Sequence, residues 1–173
     1  MKVLLHICCG VCAAGVARTL LEEGQHVIGY FYNPNIYPEA EFHRRLDTAR
    51  RVAEELGFPL DVAPYESGQW HKLTEPFKDE PEGGNRCTIC YRLRLEKTRM
   101  HLGYCGADYF TTTLTISPHK SAAVVNRIGK EIGENTFLER DFKKNDGFKK
   151  AIQLAKQWQL YRQHYCGCVY SMR

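Results

Sequence analysis

Apolar residues along the chain fall either in short continuous runs or at helical spacing, and the two patterns take turns. Residues 2–7 (KVLLHI) form an apolar run closed by Gly10, which predicts a buried strand. Residues 11–23 read as a helix capped by Gly24. Residues 26–32 (HVIGYFY) predict a second strand, stopped by Asn33-Pro34. Across residues 38–56, Phe42, Leu46, Ala49, Val52, Ala53 and Leu56 recur at helical spacing, and Gly57 ends the pattern. Residues 60–65 predict a third strand. Residues 66–86 are polar and broken by Pro76, Pro81 and Gly83-Gly84, which predicts a helical turn and then a loop.

The second half continues the alternation. Residues 88–102 predict a helix with Cys90 in its first turn, ending at Gly103. Residues 108–115 (DYFTTTLT) are aromatic and β-branched, a strong strand signal. Ser117-Pro118 supplies a cap followed by proline, predicting a helix from there to about Ile132. Residues 136–142 predict a fifth strand. Phe148, Ala151, Ile152 and Ala155 mark a last helix beginning near Asp146. The tail, residues 159–173, has no periodicity. Alternating strands and helices imply a single α/β domain over residues 1–173, with a parallel sheet of about five strands between two helical layers. Ligands in such sheets bind beyond the carboxyl ends of the strands. Cys8, Cys9 and Cys12, residues 33–37 and Asp141 are therefore expected to face one crevice.

Composition adds bounds. The 173 residues are 43% hydrophobic and 25% charged, ordinary for a globular chain. No apolar run reaches the roughly 18 residues that a membrane span needs. The apolar start is too short for a secretory signal, so a cytoplasmic location is expected. The net charge of +4 permits an anionic partner without demanding one.

Eight cysteines change the picture. In an intracellular chain, clustered thiols point to metal or redox chemistry rather than to staples. Seven fall in three groups: Cys8, Cys9 and Cys12; Cys87 and Cys90; Cys166 and Cys168. Cys105 stands apart as an inert buried thiol. Cys87-Thr88-Ile89-Cys90 lets two sulfurs grip one metal or one cluster edge, and Cys8-Cys9 supplies two more. Four thiolates suit a [4Fe-4S] cluster. They also suit a structural zinc, although an adjacent pair makes a poor zinc knuckle. Cys166-Gly167-Cys168 would close only a small, strained disulfide, and strained disulfides tend to be labile or catalytic. Two separate thiols are the alternative. Cys12 is a candidate ligand, with Asp141 as oxygen donor, for a second iron beside the cluster. Otherwise it is a small core residue of the first helix.

Aromatic and basic residues supply candidate substrate contacts. Tyr32 and Tyr37, with Asn33 and Asn35 between them, suit the stacking and hydrogen bonding of a purine-like base. The stretch from Arg140 to Lys150 has a basic excess that an RNA backbone would use, with Arg140 nearest the crevice. His6 and His164 are weaker candidates for proton transfer, since a histidine on a buried strand is more often a satisfied core residue. No Ser-Gly-Gly loop, GxGxxG or GxxxxGK[ST] follows the first strand. Thiols stand where a phosphate cradle would be, which argues against ATP use.

Several stretches taken together carry a resemblance. They are His6-Ile7-Cys8-Cys9-Gly10-Val11-Cys12, Tyr30-Phe31-Tyr32-Asn33-Pro34-Asn35-Ile36, Asp79-Glu80-Pro81-Glu82-Gly83-Gly84, Arg86-Cys87-Thr88-Ile89-Cys90-Tyr91-Arg92-Leu93-Arg94, Phe110-Thr111-Thr112-Thr113-Leu114 and Leu160-Tyr161-Arg162-Gln163-His164-Tyr165-Cys166-Gly167-Cys168. Over nearly its whole length the chain resembles the epoxyqueuosine reductase QueH family. The resemblance implies a Rossmann-like fold of the HUP, or nucleotide α-hydrolase-like, type. It implies reduction of epoxyqueuosine to queuosine at the wobble position of tRNA, without cobalamin. It assigns [4Fe-4S] ligation to Cys8, Cys9, Cys87 and Cys90, and a redox-active disulfide to Cys166 and Cys168. The partners implied are tRNA carrying epoxyqueuosine and an external electron donor that the sequence does not identify. Two other functions compete: an iron-sulfur, ATP-dependent tRNA thiolase of the same architecture, and a zinc-bearing RNA-binding module.

Overall fold

The computed structural model describes residues 1–172; Arg173, the last residue of the tail, lies outside the described residues. Four strands form one parallel sheet: β1 (Lys2–His6), β2 (His26–Phe31), β3 (Leu60–Val62) and β4 (Tyr109–Thr112). Their spatial order is β3-β2-β1-β4, which makes the apolar run at the start of the chain a central strand. Parallel neighbours need crossovers, and helices supply them. α1 (Gly10–Glu22) joins β1 to β2, and α2 (Glu39–Leu56) joins β2 to β3. α3 (Gly68–Thr74) and α4 (Asn85–Cys105) carry the chain back across the sheet to β4, and α5 (Ala122–Gly133) and α6 (Gly147–Gln157) follow.

Successive strand residues point to opposite faces, and the core divides accordingly. Val3, Leu5 and Ile7 bury with residues of α1, α2 and α6. Leu4, Tyr30 and Phe110 bury with Trp70 of α3 and residues of α4 and α5. The chain runs outward from β1 to β3 and then returns to β4 on the other side of β1. That reversal opens a crevice beyond the carboxyl ends of β1 and β4. Among the described residues no helix is long and apolar enough to cross a membrane.

Three expectations are corrected. The fifth strand is reduced to one bridge between Phe110 and Phe137. Leu138 N–H reaches Phe110 O at 2.9 Å, but Leu138 O then accepts from the Thr111 hydroxyl at 2.9 Å instead of a backbone N–H. A side chain takes the next rung, so pairing stops. The helix expected from Ser117 begins at Ala122, with Ser121 Oγ accepting from Val124 N–H at 3.3 Å. The cause lies upstream: Thr112 Oγ1 accepts from Leu114 N–H at 3.1 Å and turns the chain into a 3₁₀ segment, Thr113–Ile116. Finally, α4 starts at Asn85 and runs through Gly103 to a left-handed Gly106, so Cys87 and Cys90 both lie in its first two turns.

Candidate thiol-lined metal centre

The first thiol group sits where β1 hands over to α1. Gly10 opens that helix against α2; a Cβ there would lie 2.3 Å from Thr48 Cγ2, so only glycine permits the approach. Cys9 is the N-cap, its Sγ accepting from Cys12 N–H at 3.4 Å. Cys8 N–H donates to Thr113 Oγ1 at 3.1 Å, and the Thr113 hydroxyl donates to Cys8 Sγ at 3.2 Å. The sulfurs of Cys8, Cys9 and Cys12 all lie within 4.8 Å of one another, a three-donor group fit for a metal. Hydrogen bonds from the Cys12 and Cys9 thiols hold the Cys8 thiol well below its ordinary range, helped by the Lys120 ammonium and Thr113. The same sharing pushes Cys12 up.

The second group is presented by α4. Gly83, at φ 90°, turns the preceding loop so that its N–H donates to Cys87 Sγ at 3.2 Å. Glu80 holds Asn85 through its carboxylate, at 2.6 Å to the backbone N–H and 3.0 Å to Nδ2. Arg86 Nη1 collects the carbonyls of Phe77, Lys78 and Glu80 at 3.1, 3.0 and 2.6 Å. Burial pushes the Cys87 and Cys90 thiols up; the Gly83 N–H opposes this at Cys87, and the Arg94 guanidinium opposes it at Cys90.

The tail brings the third group. Arg45 of α2 is 2% exposed and binds Glu41 Oε1 at 2.8 Å through Nε. Its Nη1 and Nη2 donate to Cys166 O at 2.8 Å and Tyr165 O at 3.0 Å. The Tyr161 hydroxyl donates to Glu41 at 2.9 Å, and Tyr37 N–H donates to Gly167 O at 2.8 Å. Gly167 has φ 131°, and a Cβ there would lie 2.9 Å from Arg45 Nη1. Cys166 and Cys168 are free thiols; no disulfide joins them.

These pieces enclose two adjoining spaces. An outer cavity of about 370 Å³ is lined by Cys8, Cys12, Lys120, Arg162 and His164. A narrow inner chamber of about 10 Å³ is lined by Cys87, Cys90, Cys166 and Cys168 with Trp70, Arg86 and Tyr91. Asn35, Arg94 and Cys166 line both. Cys8 packs against the buried cluster that contains Cys87, Cys90 and Cys168. Cysteines from three distant stretches therefore line adjoining spaces at the sheet's carboxyl edge.

The remaining candidates divide. Asn35 is buried in the wall shared by the two cavities, and its Oδ1 has no partner. Asn33 is a staple between strands: its Nδ2 donates to Ile7 O at 2.8 Å, and its Oδ1 accepts from Arg94 at 3.5 Å. Tyr32 is 7% exposed and its ring lies 6.2 Å from Tyr30 within the second core. Tyr37 is exposed, and its carbonyl accepts from the Tyr165 hydroxyl. Asp141 lines neither cavity; its carboxylate accepts from Lys143 N–H at 3.1 Å, with Lys143 Nζ 3.6 Å away. Arg140 pairs with Glu23, just past the end of α1 remote from the cysteines, so its guanidinium points away from the crevice. His6 is fully buried, bonded to Thr112 Oγ1 at 2.9 Å and Tyr32 O at 3.0 Å. Burial, then the nearby Arg94 charge, lowers its pKa to about 4, so it stays neutral.

Sequence reasoning missed Glu41, Arg45, Trp70 and Arg86 as parts of this centre. For Glu41 and Arg45 the signal was an i, i+4 pair on a helix, which usually means a solvated face. Trp70 and Arg86 lie in or beside a stretch that reads as loop.

A Rossmann-like sheet whose first turn carries thiols instead of a phosphate loop defines the class: an α/β protein with a sulfur-donor centre at the switch point. The family model for epoxyqueuosine reductase QueH matches residues 3–173. The QueH of Streptococcus pyogenes serotype M1 is 33% identical over 99% of this chain and 71% of its own length. That of Thermotoga maritima is 34% identical over 98% and 90%, and that of Dehalococcoides mccartyi 36% over 98% and 92%. The chain belongs to the epoxyqueuosine reductase QueH family. Its fold is also similar to a solved U34-tRNA thiolase, NcsA from Methanococcus maripaludis with its [4Fe-4S] cluster. That likeness has a TM-score of 0.62 at 18% identity and covers this whole chain but only 62% of the thiolase.

Proposed function

We infer that this chain reduces epoxyqueuosine to queuosine in tRNA, using a [4Fe-4S] cluster held by Cys8, Cys9, Cys87 and Cys90. Family membership supports the reaction. One observation carries the site: seven of the eight cysteines converge beyond the carboxyl ends of β1 and β4. The donor chemistry fits the group. Thiolates are the ligands that iron-sulfur clusters take, and Cys8 is already biased toward thiolate. Cys12 lies within ligating reach of Cys8 and Cys9, which supports a place for it at a second iron. The Asp141 carboxylate is engaged by Lys143, so the geometry does not favour it as the oxygen donor there.

Turning an epoxide into an alkene takes two electrons and two protons and releases water. When bound, the cluster supplies electrons one at a time. Cys166 and Cys168 match that to a two-electron donor: oxidising the pair to a disulfide releases two electrons and two protons. Cys166 is the member that lines the outer cavity, where substrate would sit. Lys120 also lines it. Burial would lower its pKa, but the nearby Cys166 and Cys8 outweigh that and raise it, so its Nζ keeps a positive charge beside the substrate space. A cavity of about 370 Å³ is within the range that holds a small ligand, here a nucleobase turned out of the anticodon. Lys120, Arg162, His119 and His164 give its lining a basic character suited to RNA phosphate. A tRNA substrate supports a cytoplasmic location, and on this reading an external electron donor restores the dithiol.

The test is anaerobic reconstitution with iron and sulfide, followed by assay on tRNA carrying epoxyqueuosine with a chemical reductant and no ATP. Conversion to queuosine is expected. A fully reconstituted protein that leaves the epoxide intact, or that needs ATP, overturns the reading. A colourless protein holding one zinc would favour the RNA-binding module.

A further inference from the structure

We propose that Arg86, Arg94 and the Trp70 indole form the counter-charge and hydrogen-bond shell of an anionic, sulfur-ligated group bound beside the inner chamber. The proposal rests on the iron-sulfur reading above and adds the residues that balance the charge of the bound group.

The observation is a concentration of unmet partners. Six buried side-chain polar atoms lack a hydrogen-bond partner among the described residues, and four of them belong to residues lining this one chamber. They are Trp70 Nε1, Arg86 Nε, Arg94 Nη2 and Asn35 Oδ1. Three are N–H donors; the fourth, Asn35 Oδ1, is an acceptor. Buried donors in folded proteins are nearly always paired; the Trp70 indole is directed at the Cys90 sulfur, and the two guanidinium donors beside it mark a missing acceptor.

Charge points the same way. Arg86 and Arg94 are 3% and 2% exposed, and among the described residues neither makes an ion pair. Arg86 hydrogen-bonds backbone carbonyls and lies over the Tyr170 ring at 5.1 Å; Arg94 reaches Cys90 O and Asn33 Oδ1 at 3.4 and 3.5 Å and lies 5.9 Å from the Tyr91 ring centre. A buried cation without an anion is strongly unfavourable. Water does not resolve this. The inner chamber of about 10 Å³ has room for about one water, and although Arg94 and Asn35 also border the outer cavity, water from there neutralises no charge. A cluster ligated by thiolates has net negative charge and sulfur acceptors on every side. Two guanidiniums and an indole N–H complement it, and donors to sulfur favour the more reduced, more negative state.

Unfolding of the Arg94→Met variant, with and without cluster, tests the charge argument. In the cluster-free protein the guanidinium has no carboxylate partner among the described residues, only the neighbouring cysteine sulfurs, so its removal should leave Tm at or above that of the unsubstituted chain. In the reconstituted protein the same change should lower Tm. Equal losses in both forms would show a merely structural arginine and overturn the proposal. Redox titration followed by electron paramagnetic resonance reads the hydrogen bonds. Trp70→Phe and Arg94→Lys should keep full cluster content with a midpoint potential more negative than that of the unsubstituted chain. Unchanged potentials at full cluster content would also overturn it. If Arg94→Met takes up no cluster, its cluster-free Tm still decides. If the unsubstituted chain takes up none, the iron-sulfur reading fails first, and the two failures remain distinct.

Discussion

The two thiol groups that meet in the crevice are built on opposite principles. Cys8, Cys9 and Cys12 satisfy one another: their sulfurs share hydrogen bonds, Thr113 adds another, and the α1 N-terminus takes Cys9 as its cap. The thiols of the inner chamber take donors from the Gly83 N–H and the Trp70 indole instead, beside two buried guanidiniums without carboxylate partners among the described residues. The first group is complete as protein; the second becomes complete only with an anion added. Preorganised thiolate chemistry and uncompensated positive charge are thus held in adjoining spaces that share Cys166, Asn35 and Arg94.

The comparison can be broken most severely at α4. Changing Cys87 and Cys90 together to alanine should abolish the iron-sulfur absorbance and the epoxide reduction, read by iron and sulfide content with the tRNA assay. Retention of a full cluster would mean that the first group holds it alone. Next comes the tail. Cys166→Ser with Cys168→Ser should keep the cluster but stall turnover with the physiological donor; full activity there would remove the disulfide role. Arg45→Ala should cost about 3 kcal/mol in denaturant unfolding, because it leaves buried Glu41 with only the exposed Arg44 at 4.0 Å and the Tyr161 hydroxyl. Arg45→Lys should recover part of that loss. Cys12→Ser sharpens the first group: it should keep the cluster while lowering bound iron by about one equivalent, read by metal analysis. Unchanged iron would make Cys12 a packing residue. The smallest effect is expected at Arg140→Ala. Its pair with Glu23 lies at the surface, so stability should change by only about 0–1 kcal/mol, and tRNA affinity should not move.

Much of this was legible in the chain. The strands β1, β2 and β4 and the helices α1, α2 and α6 fall where apolar spacing and glycine stops predict them. The thiol groups were visible as clusters, and β1 followed by Cys8 and Cys9 placed one of them at the crevice. Elements decided by a single side-chain hydrogen bond were not legible. Thr111 ends the pairing of residues 136–142, and Thr112 bends the chain before Ser117; neither threonine differs in sequence pattern from a strand residue. The burial of Tyr32 and the pairing of Arg140 with Glu23 were hidden for a related reason. Residue type shows what a side chain can bind, whereas its direction depends on which face is covered.

What the sequence determined by itself is the alternation that makes a parallel sheet, and the stock of thiols at its first turn. Both follow from local periodicity and chemical identity, which a linear reading contains. Only tertiary structure decided that Glu41 and Arg45 hold the tail, that Arg86 and Arg94 are buried without an ion pair among the described residues, and that Cys166 stands between two cavities. Those facts depend on partners up to 121 residues away and on the exclusion of water, which no local pattern encodes.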